Sequence, residues 1–427
     1  MAVLNVSDSG TDKLFLEYIK PGLHIELYKN TTLYDRFKTD TDSCLGKYGI
    51  MKLLTSTPKS ARPSSTSTFP TADQGTYTEF IFYMKRAMYA SLQFDGLAIA
   101  CGKGAGAVRE VVQAETEGMM FYIANKLNKQ FWGDGSGRLA TTDAGTTATT
   151  ISIDNRYFGL DANEYTLAHQ WLEEGMYIDV RHQTTGALEV DNVKINSIAD
   201  VADGTSTLTM ADTCTVTDNS EVFDHDTYAI TEAAGTGVPM GLSGLISTSN
   251  PYVGITSTSA FQNINRSSTY AQAQTWAHGG VAITNTAILK AIQKCERYGS
   301  ISVILMNDII WRAYYTILEA DKTMPNEPAF WGGLTGISFF GGRNKKIPVI
   351  YDEDCPDQTI YLIDDDKIKI SAPSKAGMDW LPGDSGHVLT RVQGKDEYVA
   401  NLRWYYNMTT NMPRALGYIS GVKHAAS

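Results

Sequence analysis

The hydrophobic pattern of the first quarter of the chain predicts strands on both sides of a loop. An apolar run at residues 50–54 predicts a short strand, and the Ser-, Thr- and Pro-rich residues 55–75 predict a loop. Alternating apolar and polar residues predict further strands at 76–84 and 88–94. We therefore expect a long two-stranded ribbon. Because such a ribbon is marginally stable in water, its aromatic side chains need a cover from the same chain or from another subunit.

The clearest helical pattern covers Ala105–Trp132. At about 1.5 Å per residue, a helix of this length is roughly 40 Å long. Glycines at 102, 104 and 106 precede it, and the sequence GDGSG at 133–137 predicts its end. Apolar residues recur there at spacings of three and four, at Val108, Val111, Val112, Met120, Ile123, Leu127 and Phe131.

The rest of the chain divides into a β-rich part and a mixed part. Residues 138–240 contain short threonine-rich apolar segments separated by turns, which predicts a small all-β module inserted after the helix. Helical and strand patterns then alternate. Helices are predicted at 284–298 and from 308 to about 322, and strands at 301–306, 347–351, 359–363 and 399–406.

Composition narrows the classes of function. Lysine and arginine number 36 and aspartate and glutamate 47, so the net charge is −11, which argues against a protein whose main task is to neutralise phosphates. No apolar run is long enough to span a bilayer and the N-terminus lacks a signal pattern, so we expect a soluble, unsecreted chain. The five cysteines lack metal or disulfide spacings, and we expect them to be reduced and mostly buried.

Candidate catalytic motifs are weak. The sequence GDSG at 383–386 places Ser385 where a serine hydrolase could use it, with His278 or His387 as the base, but a polar turn explains it better. Residues 102–106 imitate a phosphate-binding loop, and a flexible glycine hinge is the better interpretation. The acidic runs at 352–354 and 364–366 are interpreted as solvated loops. We expect no catalysis, no metal and no cofactor.

Four segments in order resemble one known family. They are YASLQFDG at 89–96, the helix with its GDGSG terminus, IPVIYDEDCP at 347–356 followed by TIYLID, and PRALGYISGV at 413–422. Together they are similar to the major capsid proteins of tailed bacteriophages, which have the Hong Kong 97-like fold. The likeness covers most of residues 50–137 and 280–422, whereas 138–240 matches an insertion that some members carry.

The resemblance implies an α+β fold with an N-terminal arm, extended loop, spine helix, peripheral and axial domains, and an inserted all-β domain. The expected divisions are an N-terminal arm at 1–49, an extended β loop at 50–98, the spine helix at 99–137, the inserted domain at 138–240, a peripheral continuation at 241–282, the axial domain at 283–375 and peripheral C-terminal strands at 376–427.

The same resemblance implies a function and partners. The chain is expected to self-assemble into pentamers and hexamers of an icosahedral head shell that encloses phage DNA, without binding that DNA specifically. The short N-terminus implies a separate scaffolding protein, and a portal protein and a decoration protein are further expected partners. Assembly would take place in the host bacterial cytoplasm, without a membrane. Encapsulin-like nanocompartment shells are the alternative within the fold.

The extended loop is where subunits are expected to touch. Its aromatic residues would be covered by assembly, and its positive charges would meet carboxylates of an adjacent subunit. The residues expected at this contact are Lys59, Arg62, Phe80, Phe82 and Tyr89.

Overall fold

A computed structural model describes residues 33, 36–42, 48–61, 63, 69, 71–96, 105–156, 171–200, 205–228, 237–248, 261–262, 264, 266, 268–320, 330–331, 334–335, 337–341, 345–373, 378–381 and 389–423. Within these residues the chain has few helices and many strands, so the predicted α+β class is confirmed. None of the helices in the described part is long and apolar enough to cross a membrane.

The strands are numbered in chain order. They are β1 Lys38–Asp40, β2 Gly49–Ser56, β3 Thr76–Phe82, β4 Lys85–Asp95, β5 Arg138–Thr142, β6 Thr146–Arg156, β7 Tyr177–Arg181, β8 Leu188–Asp200, β9 Ser206–Val216, β10 Glu221–Asp224, β11 Gln274–Ala282, β12 Val303–Met306, β13 Phe330–Trp331, β14 Leu334–Thr335, β15 Ile337–Gly341, β16 Lys345–Tyr351, β17 Thr359–Ile363, β18 Ile368–Ser371, β19 Asp379–Trp380, β20 Leu389–Arg391, β21 Glu397–Thr410 and β22 Gly417–Lys423. The helices are α1 Ala105–Trp132, α2 Leu242–Leu245, α3 Asn285–Cys295 and α4 Asp308–Ala320.

The ribbon is shorter than the predicted extended loop. β2 and β3 form a two-stranded antiparallel sheet, and β4 leaves it to pair with β21 along nearly its whole length. The expectation that residues 88–94 belong to the ribbon is therefore wrong. The physical reason lies in one face of β4, where Met88, Leu92 and Phe94 pack on the main hydrophobic core.

The first large sheet carries the long strand β21. Its order is β1-β18-β21-β19, and β20 and β4 also pair with β21. The inner face of β21 is buried through Leu402, Trp404 and Tyr406. These side chains join the core beneath α1, so this sheet and the helix support the base of the ribbon.

The helix α1 has the bounds that the apolar pattern predicts. Met120, Ile123, Leu127 and Phe131 are all buried, whereas the side chains of the predicted valines at 108, 111 and 112 lie outside the described residues. The glycine-rich segment after it ends the helix because its glycines at 135 and 137 have φ of +90° and +85°, a region that other residues rarely adopt. Of the predicted hinge, residues 102–104 also lie outside the described part.

The predicted all-β insertion is a closed barrel. Its strands follow the order β10-β5-β6-β9-β8-β7. The interior is filled by apolar side chains from every strand, which form a core separate from that under α1. Examples are Ile151, Ile178, Ile195, Leu208 and Val222.

A second large sheet has the order β11-β22-β17-β12-β16-β15, with α3 packed beside it. The hydroxyl of Thr284 accepts a hydrogen bond from the backbone N–H of Ala287 at 3.3 Å and caps α3, as its position before the apolar stripe predicts. β22 lies between β11 and β17, so the closing strand belongs to this sheet and not to the sheet of β21. Its Ile419 and Val422 are buried against the core of this sheet.

Along the described residues, a short first strand, the two-stranded ribbon, the long helix α1 and the barrel follow one another in chain order.

Candidate inter-subunit surface

The two faces of the β2–β3 ribbon differ in burial. Residues directly opposite in the two strands share a face, and successive residues of one strand alternate between faces. On the inner face Met51 lies opposite Phe80, and Gly49 lies opposite Phe82. On the outer face Leu54 lies opposite Tyr77.

The inner face is covered by the chain itself. Phe80 and Phe82 are fully buried, and the rings of Phe80 and Phe261 meet edge to face with centroids 6.3 Å apart. A Cβ on Gly49 would lie 2.1 Å from the ring of Phe82, so only glycine leaves room for that ring. The prediction that Phe80 and Phe82 contact another subunit is therefore wrong, because their own chain already removes them from water.

The outer face is apolar and open to solvent. Tyr77 is 71% exposed, and Ile50 and Leu54 are each 44% exposed. Between them Lys52 and Glu79 form an exposed ion pair of 3.5 Å. Because the two charges cancel, this face of the ribbon carries no net charge. These three apolar residues, which we call the ribbon face, are the strongest candidates for contact with another molecule.

Sequence reasoning did not single out the ribbon face. The strand signals at residues 50–54 and 76–84 were usable, since successive residues of a strand face opposite sides of a sheet. What they do not reveal is which face turns inward, because that depends on the register of the strands and on their packing.

The ribbon tip holds the predicted positive charges. Lys59 is exposed, and its backbone N–H donates a 3.0 Å hydrogen bond to the carboxylate of Asp73. Arg62 lies outside the described residues. Phe69 is 97% exposed and adds an aromatic side chain to the tip. The tip therefore combines an accessible cation with an uncovered ring.

Tyr89 lies elsewhere, on the solvent face of β4. It is exposed, and its ring meets that of Tyr405 edge to face with centroids 6.1 Å apart. Tyr89 thus belongs to the sheet of β21 and is separate from the ribbon face.

The helix α1 also exposes aromatic side chains. Phe121 and Tyr122 lie on the side opposite the buried Met120 and Leu127, and Phe121 is 60% exposed. The run MMFYI at 119–123 places apolar side chains on every face of the helix. The sequence therefore contains a signal for exposed apolar residues here, although the spacing of three and four identifies only the buried ones. A second side of α1 is therefore available for contact.

Ion pairs fasten the barrel to α1. Lys126 pairs with Asp224 of β10, and Lys129 pairs with Glu173 at 2.6 Å. A cavity of about 60 Å³ lies between these pairs, where the helix meets the barrel. The pairs are partly shielded from solvent, so they hold the barrel beside the end of the helix more firmly than fully exposed pairs would.

The buried Asp134 lies at the same junction. Its carboxylate accepts a 2.7 Å hydrogen bond from the backbone N–H of Ser136, which stabilises the turn after the helix. Burial raises its pKa from 3.8 to about 6, because the charged form loses its hydration. The same cause raises the pKa of Asp352 to about 6.

We expect the subunit to be more stable near pH 5.5 than at pH 7.5. Because both native pKa values lie above those of the unfolded chain, the native state binds more protons between about pH 4 and 6, and stability is lost as the pH rises through 6. Asp134→Asn should raise the free energy of unfolding at pH 7.5 by on the order of 1 to 3 kcal/mol and flatten this dependence. Urea unfolding of the unassembled chain at the two pH values measures both effects. Asp191→Asn, an exposed change in the barrel, is the control, and equal pH dependence in parent and Asp134→Asn would contradict the expectation.

The acidic runs are less solvated than predicted. Asp352 and Asp364 are both buried. The carboxylate of Asp352 accepts a 3.2 Å hydrogen bond from the amide of Asn128 in α1, and that of Asp364 accepts a 3.0 Å bond from the backbone N–H of Ser300. The prediction of solvated loops is wrong for these two residues, because each carboxylate is buried and accepts a hydrogen bond from a residue that is distant in the sequence.

One group of three potential metal ligands occurs among the described residues, at Asp179, His225 and Asp226. Asp179 already accepts hydrogen bonds from the backbone N–H groups of Asn192 and Asp226, at 2.9 and 3.1 Å, and its carboxylate is 2.8 Å from Nδ1 of His225. These bonds account for the arrangement as a structural turn of the barrel.

Of the candidate hydrolase residues, only His278 is described. Its Nε2 lies 2.7 Å from the carbonyl oxygen of Ala282 within β11. Ser385 and His387 lie outside the described residues. The cysteines at 214, 295 and 355 are free and buried as predicted, and those at 44 and 101 are also outside the described part.

Comparison with known proteins gives matches among solved structures. No protein-family model matches the chain, and no curated protein matches it by sequence. The chain is similar to the capsid of cyanophage A-1(L), with 13% identity, a TM-score of 0.46, and 91% of this chain and 90% of that chain covered. It is similar to the capsid of a native GTA particle, with 9% identity, a TM-score of 0.44, and 92% and 91% covered. An encapsulin of Synechococcus elongatus PCC 7942 has 14% identity and a TM-score of 0.27, with 36% and 54% covered.

Proposed function

We propose that this chain is a major capsid protein that self-assembles into the icosahedral head shell of a tailed bacteriophage. The ribbon face is the observation that carries the proposal. Its apolar side chains lie on a sheet of only two strands and are open to water, so a lone subunit leaves unfavourable surface exposed that further copies can cover. In this proposal the role is structural and not catalytic.

Burial of the ribbon face would contribute substantially to assembly. Fully burying a large apolar side chain stabilises by about 1.5 to 3 kcal/mol, and these side chains are already partly covered. A contribution of a few kcal/mol per ribbon is repeated at every subunit of a closed shell. Modest contacts of this size suit a shell that must form reversibly before it closes.

Each structural element has a proposed role in the shell. The ribbon reaches a neighbouring subunit, α1 is the spine, and the sheet of β12 and β17 belongs to the domain around the fivefold and sixfold axes. The barrel is an added module at the end of the spine. A separate scaffolding protein, a portal protein and decoration proteins are proposed partners, and packaged DNA is held without sequence preference.

Electron microscopy of the expressed full chain, with and without a scaffolding protein, tests the proposal. Closed shells are expected, and shells that enclose long DNA during infection would distinguish a phage head from an encapsulin-like compartment. Rings, fibres or a stable monomer at high concentration would contradict the proposal. Hydrolysis of a model ester that is lost on Ser385→Ala would instead support the hydrolase alternative.

The charge of the ribbon tip gives a further prediction. The double change Lys59→Glu and Arg62→Glu should lower the yield of shells at low salt, because the tip would then repel carboxylates of an acidic neighbour. The loss relative to the parent should shrink above about 0.5 M salt, since screening weakens both attraction and repulsion. Light scattering during assembly at two salt concentrations measures this.

Lys194→Glu is the control for the tip. Lys194 is an exposed lysine of the barrel, so its change alters the net charge without touching the ribbon. If the double variant assembled like the parent at every salt concentration, the electrostatic role of the tip would be refuted, although the ribbon face would remain untested by that result.

A further inference from the structure

Four side chains form a checkerboard on the solvent face of β4 and β21. Tyr89 lies opposite Arg403, and Arg86 lies opposite Tyr405, so cations and aromatic rings alternate in both directions. Tyr89 is 57% exposed and Arg86 is also exposed. We call these four residues the Arg–Tyr strip.

The strip is held together by its own contacts. The hydroxyl of Tyr89 donates a long hydrogen bond of 3.4 Å to that of Tyr405. The guanidinium of Arg403 lies 5.6 Å from the centre of the Tyr405 ring, within the range of a cation–π contact. Chiefly the hydrogen bond from Tyr89, and also the nearby arginines, lower the pKa of Tyr405. The strip is therefore a locally ordered positive surface.

Within the described part of the chain, neither guanidinium group forms an ion pair with a carboxylate. Among the ion pairs of the described residues, none includes Arg86 or Arg403. Asp379 of β19 is the cross-strand neighbour of Arg403, yet no ion pair joins them. Arg86 and Arg403 thus place two cations on one face of the sheet, in a chain whose net charge is −11.

The far end of the same sheet provides a contrast. There Arg391 pairs with Asp396 at 3.7 Å, and Lys395 pairs with Glu397 at 3.5 Å. Positive charge is thus ion-paired beside the start of β21, whereas Arg403 in the middle of that strand forms no ion pair among the described residues. An anionic ligand would complete the Arg–Tyr strip.

We propose that the Arg–Tyr strip binds the phosphodiester backbone of a nucleic acid without sequence preference. Arginine and tyrosine side chains are common donors to phosphate oxygens, and guanidinium groups match phosphate geometry with paired hydrogen bonds. Next along the same face lie Ser91 and Asn401, which are opposite each other and are also phosphate donors. At about 3.3 Å per residue, the face from Arg86 to Ser91 is roughly 17 Å long and spans two or three phosphates.

A site of this size binds weakly and reversibly. Two charges release few counterions, so one strip per subunit binds a polyanion weakly and releases it readily. The proposal depends only on the strip and does not require that the chain form a shell.

Fluorescence anisotropy with the full chain and a labelled duplex of roughly 20 base pairs tests the site. The double change Arg86→Gln and Arg403→Gln should weaken binding at least several-fold at low salt. The slope of log affinity against log salt should fall by about 1.8, the value for two lost phosphate contacts. A labelled single strand of equal length should lose affinity in the same variant, which identifies the backbone as the ligand.

The matched control is the double change Arg391→Gln and Lys395→Gln. It removes the same charge from the same sheet at side chains that are already ion-paired, and it should leave affinity and slope unchanged. Equal loss in both double variants would overturn the proposal, as it would show a general charge effect. Polyglutamate that binds as tightly as the duplex, and displaces it, would also overturn it in favour of an acidic protein partner. Sedimentation of every variant confirms that the assembly state is matched.

Discussion

A chain in which Leu54 and Tyr77 are both changed to aspartate is expected to fold normally and to form no shells. The two residues face each other across β2 and β3, so the variant places two carboxylates side by side on the ribbon face. If that face is buried against another subunit, both charges lose hydration without a partner, which costs several kcal/mol for each. Because the cost recurs at every subunit, we expect no closed particles by electron microscopy or sedimentation.

The same change should lower the free energy of unfolding of the free subunit only slightly. Both side chains are partly exposed, and two aspartates that face each other across the strands should cost the free subunit about 1 kcal/mol. Tyr177→Asp is the control, since Tyr177 is a similarly exposed tyrosine on the barrel strand β7 and its change should permit assembly. Shells of the Leu54 and Tyr77 double variant at parental yield would refute the ribbon face as an interface.

Gly241→Ala is expected to cost the subunit about 3 kcal/mol of stability. A Cβ at this position would lie 2.4 Å from the carbonyl oxygen of Gln130, 2.5 Å from that of Gly133 and 2.6 Å from that of Phe131. These oxygens belong to the backbone at the end of α1, so they cannot move aside as a flexible side chain would. Urea unfolding monitored by circular dichroism measures the loss.

Gly118→Ala in the same helix is the matched control. A Cβ there meets no atom within 4 Å, and alanine favours a helix over glycine by about 1 kcal/mol, so this variant should gain stability. The two changes add the same methyl group, one beneath the end of α1 and one on its exposed side. Should Gly241→Ala prove as stable as the parent, the packing described for the helix end would be wrong. Should the variant be insoluble, the loss of soluble yield relative to Gly118→Ala is itself the predicted result.

For the ribbon, the sequence pattern predicted the strands but not all of their pairing partners. The strands at 50–54 and 76–84 were predictable because the hydrophobic pattern of a strand is a property of neighbouring residues. The partners of those strands were not predictable, because residue 88 joins residue 404 and not residue 51. Long-range pairing depends on which apolar faces fit together after the chain has folded.

The candidate contact residues divide in the same way. Lys59 was found from charge and loop composition, and it lies at an exposed tip as expected. Phe80 and Phe82 were selected for being aromatic, and their burial follows from the space above Gly49 and the ring of Phe261, neither of which is near them in sequence. Tyr77 looked equivalent to them and has the opposite environment.

By itself the sequence determined the helix α1, the β character of the insertion and the net charge, because each follows from the residues of one segment. Only the tertiary structure decided that the inner ribbon face is covered, that Asp134 and Asp352 are buried, and that Arg86 and Arg403 share a surface. These features join residues tens to hundreds of positions apart, and their energies come from desolvation and packing, which exist only once distant segments are in contact.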